Sequence, residues 1–282
     1  MKVNTFIVGT PKAGTTSLHH YLDQHADVCM SSVKEPNYFS SNEVSTLFYN
    51  SLCVDNSEDY QKLFSNQKSK ITGEASVSYL FYEDVPKRIH DYNSEAKIII
   101  MLRHPIERAF SHYLMDCRLG FCSENLEDII ANPQKFPQYF QQYLELGNYC
   151  PQLKRYIDTF GREQVMIIFY EDFKADAQKV MTSLFSFLRI NQQVVDLSIQ
   201  NPFLAPSNSI ISLLYKINWV RKGVKMILPL TLLSSIKVRF FSKKDKPKLL
   251  NLTEQKLRDY YKEDVLQLEK LLNIDLTRWK IK

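Results

Sequence analysis

The chain has 282 residues, 44% of them hydrophobic and 12% aromatic, enough for one large α/β domain or two small ones with a sizeable core. No low-complexity run or solenoid-length repeat interrupts it, and five cysteines without a CxxC pair argue against both a disulfide framework and a zinc site. The net charge of +5 suits an anionic ligand, although solvated surface lysines account for it equally well.

The first apolar run, Thr5–Val8, reads as a buried strand. It starts so close to residue 1 that no signal peptide fits before it, which points to a cytoplasmic protein. It leads into Gly9–Ser17, GTPKAGTTS, and then a helix over Thr16–Gln24. Gly9 and Gly14 have the spacing of a nucleotide-binding P-loop, but Thr15 stands where that motif has its lysine, and Lys12 lies inside the loop. The first N–H groups of a helix lack partners and form its positive end, so they favour a phosphate. Gly14 lets the backbone approach such a group closely. Lys12, Ala13, Gly14, Thr15, Thr16 and Ser17 are therefore the candidate anion loop; the alternative is an ordinary strand-to-helix turn.

A second strand is expected at Val28–Met30, followed by Lys34-Glu-Pro-Asn-Tyr-Phe39. Pro36 keeps the residue before it out of the helical region. Glu35 is a candidate general base if it faces the cleft; otherwise Lys34 and Glu35 are a solvated pair on a loop. Next come a strand at Ile71–Glu74, a helix over Glu83–Tyr92 and the strand KIIIML, Lys97–Leu102. Arg103 ends that strand, Pro105 suits the start of the next helix, Ile106–Arg118, and Ser111 lies about two turns along it. Arg103 and Ser111 together form a candidate second phosphate site, the arginine through a forked charge-assisted contact. Singly, they are a surface arginine and a helical serine.

Helical periodicity continues over Leu126–Ala131, Tyr139–Leu146 and Pro151–Thr159, with Gly161 as a stop signal. A strand at Val165–Tyr170 and a helix at Ala177–Leu188 follow. The apolar stretch Ile210–Leu233 is interrupted by Lys216, Arg221, Lys222 and Lys225, which makes it a poor membrane span. It reads as a core-covering helix pair, with an interfacial amphipathic segment as the alternative. Thr253–Tyr261 opens with capping-box spacing and runs toward Asp264–Leu272. Strands alternating with helices predict one α/β domain, a central parallel sheet flanked by helices. Ligands of such sheets sit at the carboxyl ends of the strands, where these motifs fall.

At these motifs the sequence resembles the sulfotransferases that use 3′-phosphoadenosine 5′-phosphosulfate (PAPS). Thr10–Ser17 is similar to their 5′-phosphosulfate loop, and Arg103 with Ser111 resembles their 3′-phosphate site. Lys34–Phe39 is similar to the KEPxFF segment of the heparan-sulfate and bacterial branches. The likeness continues through Gly73–Tyr79, Gly147–Tyr149, Phe169–Phe173, Lys246–Pro247 and Leu276–Trp279, so it covers nearly the whole chain. It implies a P-loop-like sulfotransferase fold over 1–282, with 206–250 as a helical and basic-loop cap. It also implies that Lys12 and Glu35 are catalytic, that Tyr170 stacks on or near the adenine, and that Lys243 and Lys244 of Ser242–Pro247 lie over the 3′-phosphate. One departure is GEAS at 73–76, where some carbohydrate branches carry a lysine whose charge Glu74 cannot supply. The cytosolic hormone-type enzymes use a histidine base; here His19, His20, His25, His90, His104 and His112 are expected on helix surfaces or in packing roles.

The function so implied is sulfuryl transfer from PAPS to a hydroxyl or amine of a small-molecule acceptor, a secondary metabolite, with release of 3′,5′-ADP and no metal. No nucleic-acid partner and no stable membrane insertion are expected. Segments Ser40–Ser57, Arg118–Gln142 and Ala205–Arg239 are expected to wall the acceptor pocket. Two other readings compete. A P-loop kinase needs Mg·ATP and a lysine directly after Gly14, where the chain has Thr15. A non-enzymatic polyanion-binding module would bind with steep salt dependence and without need of the loop.

Overall fold

The computed structural model describes residues 2–49, 51–65, 69–197, 204–206, 241–243 and 247–281. Five strands, β1 (Thr5–Gly9), β2 (Val28–Met30), β3 (Ile71–Ala75), β4 (Lys97–Leu102) and β5 (Val165–Phe169), form one sheet in the order β2-β3-β1-β4-β5. Every pairing in it is parallel, with Thr5 beside Gly73 on one side and Lys97 on the other. A register shift between Ile7 and Gly9 breaks the β1–β4 ladder where the anion loop begins.

Because successive side chains of a strand point to opposite faces, β1 and β4 feed two separate cores. Phe6, Val8, Ile98, Ile100 and Leu102 face one core, which is closed by helices α4 (Val85–Tyr92) and α8 (Tyr149–Phe160) and by the long C-terminal helix α11 (Asn251–Leu272). Ile7, Ile99, Met101 and Ile168 face the other, closed by α1 (Thr15–Asp23) and α10 (Ala177–Leu188). The strands are hydrophobic on both faces because both are covered, as parallel sheets require. Between these elements lie α2 (Ser41–Ser45), α3 (Ser57–Lys62), α5 (Pro105–Leu119), α6 (Leu126–Ala131), α7 (Pro137–Tyr143) and α9 (Tyr170–Ala175). All five cysteines are free thiols.

The expected strands and long helices are present; the differences lie at their edges. The fifth strand stops at Phe169, and Tyr170 opens α9 instead of ending the strand. The predicted helix Tyr139–Leu146 is divided into α7 and a 3-10 turn, Glu145–Gly147. Its carbonyls are claimed from outside: Arg108 donates to those of Gln142 and Tyr143 (3.2 and 2.5 Å), and Tyr261 Oη to that of Leu144 (2.9 Å). The final helix begins at Asn251 without a side-chain cap, so Thr253 lies inside it and donates its hydroxyl to Glu127 (2.6 Å) rather than forming a capping box. Most of 206–250, including Ile210–Leu233 and Arg221–Gly223, lies outside the described residues. The exceptions are a strand pair, β6 (Leu204–Pro206) antiparallel to β7 (Phe241–Lys243), and residues 247–250. Among the described residues no helix is long and apolar enough to cross a membrane.

One tertiary contact replaces a local cap. Asp264 of α11 accepts from the backbone N–H of Tyr149 (2.8 Å) and of Cys150 (2.9 Å), the first turn of α8. Burial raises its pKa to about 6, and the two N–H groups oppose that shift. Asp264→Ala strands both donors, and each costs about 1–3 kcal/mol when buried. At roughly 2–4 °C per kcal/mol for a chain of this size, differential scanning calorimetry is expected to show a melting temperature lower by about 5 °C or more. An unchanged melting temperature would contradict the cap.

Candidate active site

The anion loop hangs from the carboxyl end of β1. Thr10 N–H donates to the Met101 carbonyl of β4 (2.8 Å), and Ala13 N–H to the Thr10 carbonyl (3.3 Å), which turns the chain back over the sheet. Lys12 takes a left-handed conformation (φ 70°), and Gly14 another (φ 92°). A non-glycine residue held there costs roughly 1–3 kcal/mol and persists only where its surroundings over-determine it. Here Arg103 Nη1 donates to the Lys12 carbonyl (3.1 Å), and Lys12 Nζ lies 3.2 Å from Met115 Sδ on α5. Gly14 precedes α1 and offers no side-chain cap. A Cβ at Gly14 would be strained at this φ and would come within 3.3 Å of the Tyr170 ring, a tight contact that glycine avoids. Thr15, Thr16 and Ser17 form the first turn of α1 and line the cleft with Lys12 and Gly14. Ala13 instead turns its methyl into the core.

Arg103 leaves the end of β4 beneath this loop, 7% exposed. Its guanidinium stacks over Tyr170 at 4.7 Å and pairs with Glu107 at 2.8 Å. Its Nε is buried with no protein partner among the described residues. Its carbonyl accepts from Tyr149 Oη (2.8 Å), so β4 and α8 both fix its backbone. Ser111 lines the same cleft from α5. The cleft thus gathers Lys12, Gly14, Thr15, Thr16, Ser17, Arg103, Ser111 and Tyr170 from four separate segments. Lys243 belongs to β7, but its side chain, and the whole of Lys244, lie outside the described residues.

Glu35 lines the same cleft and is also left-handed (φ 62°). Its N–H donates to the Ala75 carbonyl at the end of β3 (2.9 Å), and its own carbonyl accepts from Asn37 Nδ2 (2.9 Å). Its carboxylate pairs with Lys34 Nζ at 2.5 Å and stays 43% exposed, within reach of a ligand. Behind this loop Glu74 is wholly buried. Burial raises its pKa to about 7, opposed by hydrogen bonds from Tyr60, Ser76 and Tyr79.

The far wall carries groups that sequence spacing did not single out. Val44, Leu47 and Tyr49 come from the segment after Glu35; Arg118, Phe121 and Gln142 come from the end of α5 and beyond. His112, expected in a packing role, lines the cleft as well. Its Nδ1 lies 3.1 Å from the Gln142 carbonyl, and its Nε2 lies 3.0 Å from Tyr49 Oη. Burial, with Arg108 and Lys12 nearby, holds its pKa well below the usual histidine range, so it is neutral. Tyr49 Oη donates to Asp116 (2.5 Å), which also accepts from Tyr143 Oη (2.8 Å). Tyr49 and Arg118 fall within the segments Ser40–Ser57 and Arg118–Gln142 expected to wall the pocket, although neither was singled out as a residue. Among the other histidines, His104 bonds the Trp279 carbonyl (2.7 Å) and His25 that of Asn191 (2.9 Å), both packing roles. His19 is buried, and burial lowers its pKa to about 4.

The glycine-lysine loop after the first strand and the arginine at the end of a neighbouring strand thus line one cleft at the carboxyl edge of a parallel sheet. Residues 2–205 match the sulfotransferase domain family, and the chain belongs to it. Over 99% of both chains its structure is similar to that of a sulfotransferase from Alicyclobacillus acidocaldarius, with a TM-score of 0.77 and 29% identity. A sulfotransferase domain from the curacin biosynthetic pathway shares the fold at a TM-score of 0.51 and 14% identity, covering 98% of this chain and 99% of that one. In sequence, the chain is 26% identical over 242 residues to carbohydrate sulfotransferase 15 of Mus musculus, matching 66% of this chain and 43% of that protein. It is 28% identical over 196 residues to the bifunctional heparan sulfate N-deacetylase/N-sulfotransferase 1 of Xenopus laevis, 65% of this chain and 22% of that protein. The chain therefore spans less than half the length of these curated relatives. The expected P-loop-like sulfotransferase fold is the one observed.

Proposed function

We propose that the protein transfers a sulfuryl group from PAPS to a hydroxyl or amine, with Glu35 as general base. The observation that carries this reading is one cleft of about 1120 Å³ holding the Lys12 loop, the Arg103–Ser111 pair and, facing them, the Glu35 carboxylate. The residues suit the donor. Gly14 and the start of α1 offer backbone N–H groups suited to its 5′-phosphosulfate, at a position where the positive φ favours glycine. Arg103, whose Nε has no partner among the described residues, lines the cleft with Ser111 and suits a 3′-phosphate, and Tyr170 lines it as an aromatic surface for the adenine.

Glu35 removes the acceptor's proton as its oxygen or nitrogen bonds to sulfur. The bond from sulfur to the 5′-phosphate oxygen breaks, and its electron pair stays on that oxygen. Lys12 and the N–H groups that open α1 meet the charge developing there, already oriented before reaction. A kinase lysine after the second glycine would reach further phosphates; Lys12, earlier in the loop, suits one phosphate and the group leaving it. For the acceptor, the wall of Tyr49, Phe121, Gln142 and Arg118 mixes aromatic and polar groups and fits a small metabolite or a sugar. The relatives named for carbohydrate and heparan sulfate substrates support sugars among the acceptors to be screened with labelled PAPS.

Thermal shift is the first test. At 100 times its dissociation constant a ligand stabilises the folded state by about 2.7 kcal/mol, or roughly 5 °C or more for a chain of this size. 3′,5′-ADP is expected to produce such a shift, and Mg·ATP to produce none. The reverse pattern would favour a kinase. Binding of any polyanion alike, abolished by moderate salt, would favour the non-enzymatic module.

A further inference from the structure

We propose that Glu74 is a positioning residue for the base, acting through three hydroxyl and aromatic partners on the three residues that follow Glu35-Pro36. The inference rests on the reading of Glu35 as general base.

The geometry is specific. The buried Glu74 carboxylate accepts three hydroxyl protons: Ser76 Oγ at 2.8 Å, Tyr60 Oη at 2.7 Å and Tyr79 Oη at 2.9 Å. Each donor then holds one successive residue of the loop. Ser76 Oγ accepts the Asn37 N–H (3.1 Å). The Tyr60 ring stacks on Tyr38 at 4.2 Å with an interplanar angle of 10°. Tyr79 Oη accepts the Phe39 N–H (3.1 Å). A hydroxyl whose proton is drawn to a carboxylate turns its lone pairs outward, which suits Ser76 and Tyr79 to receive those backbone donors. The loop is thus fixed at 37, 38 and 39 by groups that all orient on one carboxylate. Glu35 itself is tied to the adjacent strand residue, its N–H on the Ala75 carbonyl at 2.9 Å.

Such anchoring is what two consecutive demands on this loop require. Glu35 and Asn37 both adopt left-handed backbone conformations (φ 62° and 52°), which a loose loop would abandon. The Asn37 side chain closes the turn by donating to the carbonyls of Glu35 and Leu52, both at 2.9 Å, and accepting from Ser78 Oγ at 2.8 Å. Glu74, Ser76 and Tyr79 do not line the cleft, so their effect on reaction must pass through the loop. In the sequence, GEAS reads as a departure that fails to supply a positive charge; in the structure its glutamate has a different task, one that needs a buried acceptor of three hydrogen bonds.

The test is a double-mutant cycle on the full chain, with PAPS hydrolysis as the probe reaction and water as the acceptor. Ser76→Ala and Tyr79→Phe each remove one oxygen, and Glu74→Gln keeps the shape while offering one acceptor oxygen where two served. Each is expected to lower turnover roughly 10- to 100-fold, the scale of a small misplacement of a reacting group. The KM for PAPS and the thermal shift with 3′,5′-ADP should stay unchanged, because Glu74, Ser76 and Tyr79 do not line the cleft; the thermal shift also reports that each variant is folded. In a Glu35→Gln background the same substitutions should cost nothing further, since the group they position is already disabled. Equal fractional losses in both backgrounds, or no loss in either, overturn the proposal and leave the base assignment standing. If Glu35→Gln alone leaves turnover intact, the base assignment falls and the proposal falls with it.

Discussion

Replacing Lys12 with alanine is expected to lower turnover by about 10²–10³, the usual loss when one donor aimed at a developing negative charge is removed. The size of the effect follows from placement. Lys12 lies between a carbonyl clamped by Arg103 at 3.1 Å and an ammonium lying 3.2 Å from Met115 Sδ. Its side chain is therefore directed before any ligand arrives, and little reorganisation is needed as charge develops. Affinity for 3′,5′-ADP should fall much less than turnover, because the product lacks the sulfuryl group. Lys12→Arg should restore only part of the rate, since a planar fork differs from a compact ammonium. Single-turnover kinetics with saturating PAPS make the distinction. A rate within experimental error of wild type for Lys12→Ala would remove this lysine from the mechanism.

Glu35→Gln is expected to reduce turnover by about 10²–10⁴, the range for loss of a positioned general base. The amide retains the shape of the carboxylate but cannot accept a proton from the acceptor. Lys34 then loses its 2.5 Å partner, yet a partly exposed pair of this kind contributes little to stability. The melting temperature should hardly move, and the KM for PAPS should stay near that of wild type. This pattern separates a base from a structural residue, whose loss would lower stability and activity together. If His112 rather than Glu35 took the proton, Glu35→Gln would keep its rate and His112→Ala would lose it. Measuring the two variants side by side decides between them.

Much of the fold was legible because it depends on local signals. β1, β4 and β5 are short runs of Ile, Val, Phe and Leu that only a doubly covered sheet can bury. The loop from Thr10 to Ser17 combines glycine, lysine and hydroxyls at one strand-to-helix junction, and Arg103 and Ser111 occupy a strand end and the next helix. The short helices α2, α3 and α9 were missed, whereas α6, also six residues long, was read from Leu126, Ile129 and Ile130 at helical spacing. Tyr49 and His112 are 63 residues apart and meet only across the cleft. The Asp264 cap joins residues 115 and 114 apart, while Asn148, at the N-cap position of α8, makes no side-chain cap and donates to Tyr260 Oη instead.

The sequence by itself therefore determined the buried strands, the glycine-lysine loop after β1 and the placing of Lys12 and Arg103 just past strand ends, with Ser111 on the helix that follows Arg103. These features follow from periodicity and from the chemistry of a helix N-terminus, which act over a few residues. Only the tertiary structure decided that Glu35 faces the same cleft, that Glu74 anchors the loop behind it, and which side chains wall the acceptor side. Those facts depend on which strands become neighbours: β3 pairs with β1, so Ala75 receives the Glu35 N–H and Glu74 comes to lie beneath Asn37, Tyr38 and Phe39. Contacts of that range arise when distant segments pack, and no local pattern encodes them.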